Sequence, residues 1–178
     1  DRRVDGILIG LLGARMIEVP QTPHDVPVVI VNGTSTTGHP SVLPDERTAG
    51  HAMAHLLTEA GHRLIGVIGN NPRAVSSPLH SVTIGSRFEG IHAAFAEAGV
   101  QPFVVDVPEW NPYIVYDFTL QMLDAHPEIT AILAGNDGVA FGVYQAIAER
   151  GLTVPNDISV ASFDDEELAS FQRPGLTT

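Results

Sequence analysis

Several polar side chains of this 178-residue chain sit where apolar runs end. Asn32 follows the run at 28–31, and Asp45 stands just before a helical pattern. Arg87 comes after a long polar loop behind residues 64–68, and Trp110 follows 103–107. Asn136 and Asp137 follow 129–134, and Asp164 and Asp165 follow 158–163. Carboxylate, amide and guanidinium groups can each make paired hydrogen bonds to adjacent hydroxyls or ring nitrogens. An indole face covers the apolar side of a sugar or stacks on a purine. The set suits a small, neutral, hydroxyl-rich or heterocyclic ligand. Each member also has a plain structural reading. Asp45, Asp137 and Asp165 stand where helix caps are expected. Asn136 also fits a turn, and Trp110 also fits a core. Arg87 lies in a first helical turn, where a cation opposes the helix dipole, and that misfit favours a functional role.

Signals for catalysis and metal binding are absent or weak. The stretch Gly33-Thr34-Ser35-Thr36-Thr37-Gly38 is no nucleophile elbow, and there is no phosphate-cradling glycine loop. With no cysteine, thiolate zinc sites and cysteine nucleophiles are excluded. His51, His55 and Glu59 recur every four residues, which reads as a solvated helix face rather than a zinc site. The expectation is therefore a binding protein and not an enzyme, with no catalytic residue, no metal and no cofactor. Nine basic residues against 21 acidic ones give a net charge of -12. Within these residues that argues against a nucleic-acid surface and an anionic membrane surface.

Short, apolar, non-alternating runs at 4–9, 28–31, 64–68, 103–107, 129–134 and 158–163 read as strands buried on both faces. Helical patterns lie between them. One spans 46–60, with Asp45 as cap and Gly61 as stop, and its apolar stripe is Ala49, Ala52, Met53, Leu56, Leu57 and Ala60. A second opens at Ser86 with a capping-box pattern and carries Phe88, Ile91, Phe95 and Ala98. A third opens with Asn111-Pro112 and carries Tyr113, Tyr116, Leu120 and Leu123. A fourth follows Asn136 and carries Val139, Val143 and Ile147. A short fifth covers 166–172. Alternation of β and α units implies parallel, doubly wound α/β architecture. In such sheets ligands bind beyond the carboxyl ends of the strands. The 70–85 connection is longer than an ordinary βα loop and is either functional or merely mobile.

The runs 45–69 (DERTAGHAMAHLLTEAGHRLIGVIG), 86–91 (SRFEGI) and 129–178, with GNDGVAFG and RPGLTT, resemble lac repressor (LacI) family transcription regulators. The resemblance implies a two-lobed, type I periplasmic-binding-protein-like effector domain, incomplete at both ends. It assigns residues 1–62 to a partial N-terminal lobe, 63–173 to the C-terminal lobe and 174–178 to the start of a crossover back, with the DNA-binding head absent. Carried over by position, Arg87, Asn136, Asp164, Trp110 and Asn32 fall on ligand-contacting positions, and Thr83 on a hydroxyl contact; with Asp45 they form the expected ligand-binding set. The implied function is a ligand-responsive regulator that binds a sugar, with a purine or nucleoside as the alternative effector. Implied partners are operator DNA, through the missing head only, and a second copy in a homodimer, in the cytoplasm and without membrane contact. A periplasmic sugar-binding component of a transporter is the competing reading on the same fold.

Overall fold

The computed structural model describes residues 4–20 and 26–178. Two parallel sheets form. The first has the order β1-β2-β3, from β1 (Ile7–Ile17), β2 (Val28–Ser35) and β3 (Ser41–Val42). The second has the order β5-β4-β6-β7, from β4 (Ile65–Asn70), β5 (Phe103–Asp106), β6 (Ala131–Ala134) and β7 (Ser159–Ala161). The helices are α1 (Glu46–Glu59), α2 (Pro72–Val75), α3 (Ile84–Glu97), α4 (Pro112–Ala125), α5 (Asp137–Glu149) and α6 (Glu167–Phe171).

The second sheet is clothed on both faces, as its apolar strands require. Val67 and Leu133 point into a cluster with Leu57 of α1 and Phe88, Ile91 and Phe95 of α3. Their neighbours Ile68 and Ile132 point the other way, onto Val115 of α4 and Val139, Val143 and Ile147 of α5. Helix starts follow their caps. Asn111 accepts from the Tyr113 amide at 3.0 Å, with Pro112 in the first turn. Asn136 accepts from the Val139 amide at 2.9 Å.

Several expectations are corrected. The first strand is not a short one buried on both faces. It runs to Ile17, and alternate residues face solvent, Leu8 being 75% exposed. Its pairing with β2 is broken between Gly10 and Arg15, so residues 11–14 bulge out opposite Asn32 alone. The buried face of α1 is Glu46, Gly50, Ala54, Leu57 and Thr58; of the expected stripe Leu57 is buried and Met53 packs against the same cluster, whereas Ala49, Ala52, Leu56 and Ala60 are exposed. Gly50 and Gly90 set that face: a Cβ on Gly50 would collide with the Arg87 carbonyl, and one on Gly90 with that of Arg47. The two helices therefore cross backbone to backbone. α4 buries Val115, Thr119, Met122 and Leu123, whereas Tyr113 is 86% exposed. α3 starts at Ile84, two residues before the expected capping box, and Ser81 Oγ accepts from the amides of Thr83 and Ile84.

Helix α1 packs with the second sheet, Ala54 and Leu57 sharing one cluster with Val67 and Leu133. The last residues run beside β7, where Ala161 bridges Thr177 and the Ser162 amide donates to the Thr177 carbonyl at 2.9 Å.

Candidate functional site

A cavity of about 830 Å³ lies between the first sheet and the carboxyl ends of β4 and β7. One wall is the β1 bulge, Leu12 to Ala14, with Asn32 of β2. A second is the entry to α1, Asp45 and Glu46. The third comprises Thr83, Arg87, Trp110, Phe163, Asp164 and Glu166. The volume is of the size that holds one small ligand, in the range of about 300–1,000 Å³.

Arg87 is the hub. It is only 7% exposed, and Glu46 is 8% exposed. Arg87 Nε donates to Glu46 Oε2 at 2.5 Å, and Nη2 donates to Glu46 Oε1 at 2.8 Å. Nη2 also donates to Asp164 Oδ1 at 3.1 Å, and Nη1 to the Gly135 carbonyl at 2.6 Å. The Phe163 ring lies 4.5 Å below the guanidinium carbon, a cation–π contact. Burial alone would lower the Arg87 pKa. The hydrogen bonds and charge of Glu46, then those of Asp164, outweigh it, and the net shift is upward. Removing one partner of such a buried pair costs about 3–5 kcal/mol, because the other charge is left uncompensated.

The backbone is bent to aim these groups. Asp164 has φ 101° and Asp165 φ 49°, left-handed values that place the Asp164 carboxylate over Arg87. Asn32 has φ 58°, and its Nδ2 donates to the Leu11 carbonyl at 2.9 Å, so its amide pins the β1 bulge. Asp45 is exposed and caps α1, accepting from the Thr48 amide at 3.2 Å; those hydrogen bonds lower its pKa. Trp110 Nε1 donates to the Gly69 carbonyl at 2.7 Å while its ring abuts Gly135. Trp110 thus joins the core and lines the cavity at once. Thr83 occupies the N-cap position of α3 but makes no side-chain cap bond.

Of the expected residues, Arg87, Asp164, Trp110, Asn32, Asp45 and Thr83 all line this cavity. Asn136 does not join them; its side chain is committed to capping α5. Asp137 is wholly buried and structural, accepting from Ser162 Oγ and from the Glu166 amide. Sequence reasoning missed Glu46 and Phe163. The signal for Glu46 was indirect: a cation buried at the start of α3 needs a buried carboxylate, and Glu46 is the acid next to a recognised cap. Phe163 was visible only as the aromatic just before Asp164.

The long connection is ordered by the first sheet. The Met16 amide donates to the Pro78 carbonyl, and the Val82 amide to the Ala14 carbonyl, both at 2.7 Å. His80 of this strap lines the cavity. Among the described residues no group of three or more potential ligands could hold a metal ion, which includes the His51–His55–Glu59 face. No helix among them is long and apolar enough to cross a membrane.

Comparison with known proteins places the chain in a family. Residues 54–178 match the periplasmic binding protein-like domain family. The chain is similar to the ribose operon repressor of Escherichia coli, 32% identical over 99% of the chain and 53% of that protein. It is also similar to the lactose operon repressor of Escherichia coli, 30% identical over 99% of the chain and 48% of that protein. The chain thus spans about half the length of these curated relatives. Among solved structures, the Escherichia coli transcriptional repressor ascG superposes with a TM-score of 0.71 at 26% identity, covering 86% of this chain and 55% of that one.

Proposed function

The chain belongs to the periplasmic binding protein-like domain family, with LacI-family repressors as its relatives, and from that premise we propose that it is the effector-binding part of a ligand-responsive transcription regulator. It binds a small sugar or related metabolite between the two sheets. The single observation that carries this reading is the closed arrangement of Arg87, Glu46 and Asp164 in a cavity of about 830 Å³ beside Trp110. The two carboxylates offer acceptors, and the remaining guanidinium N–H a donor, to the hydroxyls of a small polyol. Two similar proteins are named for the ribose and lactose operons, which supports a sugar over a purine or nucleoside. That both are operon repressors supports the regulator over a transporter component.

The ligand contacts are Arg87, Asp164, Trp110, Thr83, Asp45 and Asn32, to which Glu46 is added. Asn136 contributes by fixing the start of α5. The lobe boundary falls ahead of α1, near residues 44–45. Effector binding changes the relation of the two sheets through the strap at 78–82 and the α1 entry. Operator DNA is read by a head outside these residues, and the assembly is a cytoplasmic homodimer without catalytic activity. A thermal-shift screen of pentoses, hexoses, disaccharides and purines tests the reading. A saturable rise in unfolding temperature with one sugar class is expected. Stabilisation by no sugar and no purine would contradict it.

A further inference from the structure

We infer that Glu46 is the residue that sets the charge selectivity of the cavity, admitting neutral hydroxyl-bearing ligands and rejecting anionic ones. This rests on the effector-pocket reading above and deepens it. A guanidinium has about five N–H donors. Four of them are used inside the protein: Nε and one Nη2 hydrogen by Glu46, the other Nη2 hydrogen by Asp164, and one Nη1 hydrogen by Gly135. One Nη1 donor remains for a ligand. The charge is also spent. One cation faces two carboxylates in direct contact, so the cluster is net negative, and Asp45 and Glu166 line the same cavity. Among the described residues, the only side chain on its walls besides Arg87 able to carry positive charge is His80.

An anionic ligand here would meet an excess of like charge rather than a free arginine. A neutral polyol meets the opposite situation: carboxylate lone pairs to accept from its hydroxyls and one N–H to donate. Glu46 dominates this balance over Asp164. Its side chain is 10% exposed against 33% for Asp164, so less of its field is screened, and it holds two of the four bonds.

The test compares D-ribose with D-ribose 5-phosphate, and D-galactose with its 6-phosphate, on wild-type protein, Glu46→Gln and Glu46→Asp, by calorimetry on variants whose unfolding midpoint is recorded. Wild type is expected to bind one neutral sugar at least ~10-fold more tightly than its phosphate ester. Glu46→Gln removes the charge and keeps the shape, and should lower that preference by ~10-fold or more. Glu46→Asp keeps the charge and should retain it, a rescue that a purely structural role does not predict. Should Glu46→Gln fail to fold, Asp164→Asn is expected to move the preference in the same direction by a smaller factor. A preference unchanged in the folded neutral variant would overturn the inference, as would equal binding of sugar and phosphate ester by wild type. Silence of every neutral sugar with wild type would contradict the pocket reading itself, and the charge filter would fall with it.

Discussion

The two sheets are built to different standards of burial. In the second, successive strand residues alternate between two helix-covered clusters, and Ile65, Ile68, Ile132 and Leu133 are fully buried. In the first, Val19, Val28 and Ile30 make a small cluster on one face. Leu8, Leu12, Val31 and Val42 stand exposed. The cavity lies where the two meet. Stability and positioning are therefore supplied mainly from one side. Arg87 and Asp164, with Trp110, are anchored to the thick second layer, and the first sheet adds a bulge and a strap held by backbone hydrogen bonds.

The largest expected effect tests this directly. Leu133→Ala should cost about 2–5 kcal/mol, because it opens a cavity in a close-packed core. Leu8→Ala should stay within about 0.5 kcal/mol, as an exposed substitution does. Equal costs in denaturant titrations would break the comparison.

The next effect concerns the helix crossing that joins the α1 entry to the second sheet. Gly50→Leu drives a side chain into the Arg87 backbone and should destabilise by about 1–3 kcal/mol, with ligand affinity falling as well. Gly13 has open space around it, so Gly13→Ala should leave stability nearly unchanged. Urea midpoints of the two variants check this.

Much of this was legible in advance, for local reasons. Asp45 and Asn111 announced their helices because a cap bond spans only two or three residues. Strands β4 and β6 were legible because burial on both faces leaves an unbroken apolar run; the edge strand β5, expected to be buried on both faces, exposes Val104 and Asp106 instead. The first strand was misjudged because residues 10–14 carry two glycines and no period, and a bulge needs its partner strand to be seen. The α4 face was misread because two tyrosines suggested a stripe, whereas packing against α5 selected the turn of Val115 and Thr119. The α1 face was set by a glycine contact with a helix some 40 residues away, which no local pattern encodes. Glu46 was hidden for the same reason, being 41 residues from Arg87. Asn136 shows the opposite case: the cap was expected at Asp137, but Asn136 accepts from the Val139 amide and Asp137 lies buried in the first turn.

The smallest effect lies at the foot of α1. Partial burial holds the His62 pKa below its ordinary 6.5, and its Nδ1 lies 2.9 Å from Thr130 Oγ1. The unfolded chain therefore takes up this proton first. The His62 contribution is present above about pH 6.5 and is lost as the pH falls through the lowered native value. A slight drop in unfolding temperature between pH 7 and 5 is expected, and His62→Gln should flatten it.

A small neutral sugar is proposed to bind in the cavity between the sheets. Trp110 is the only tryptophan of the chain and lines that cavity, so its emission is a direct reporter. In a fluorescence titration with the sugar that stabilises the protein, a saturable change is expected whose midpoint matches the calorimetric affinity. Calorimetric binding with Trp110 emission unchanged to saturation would place the ligand elsewhere and contradict it.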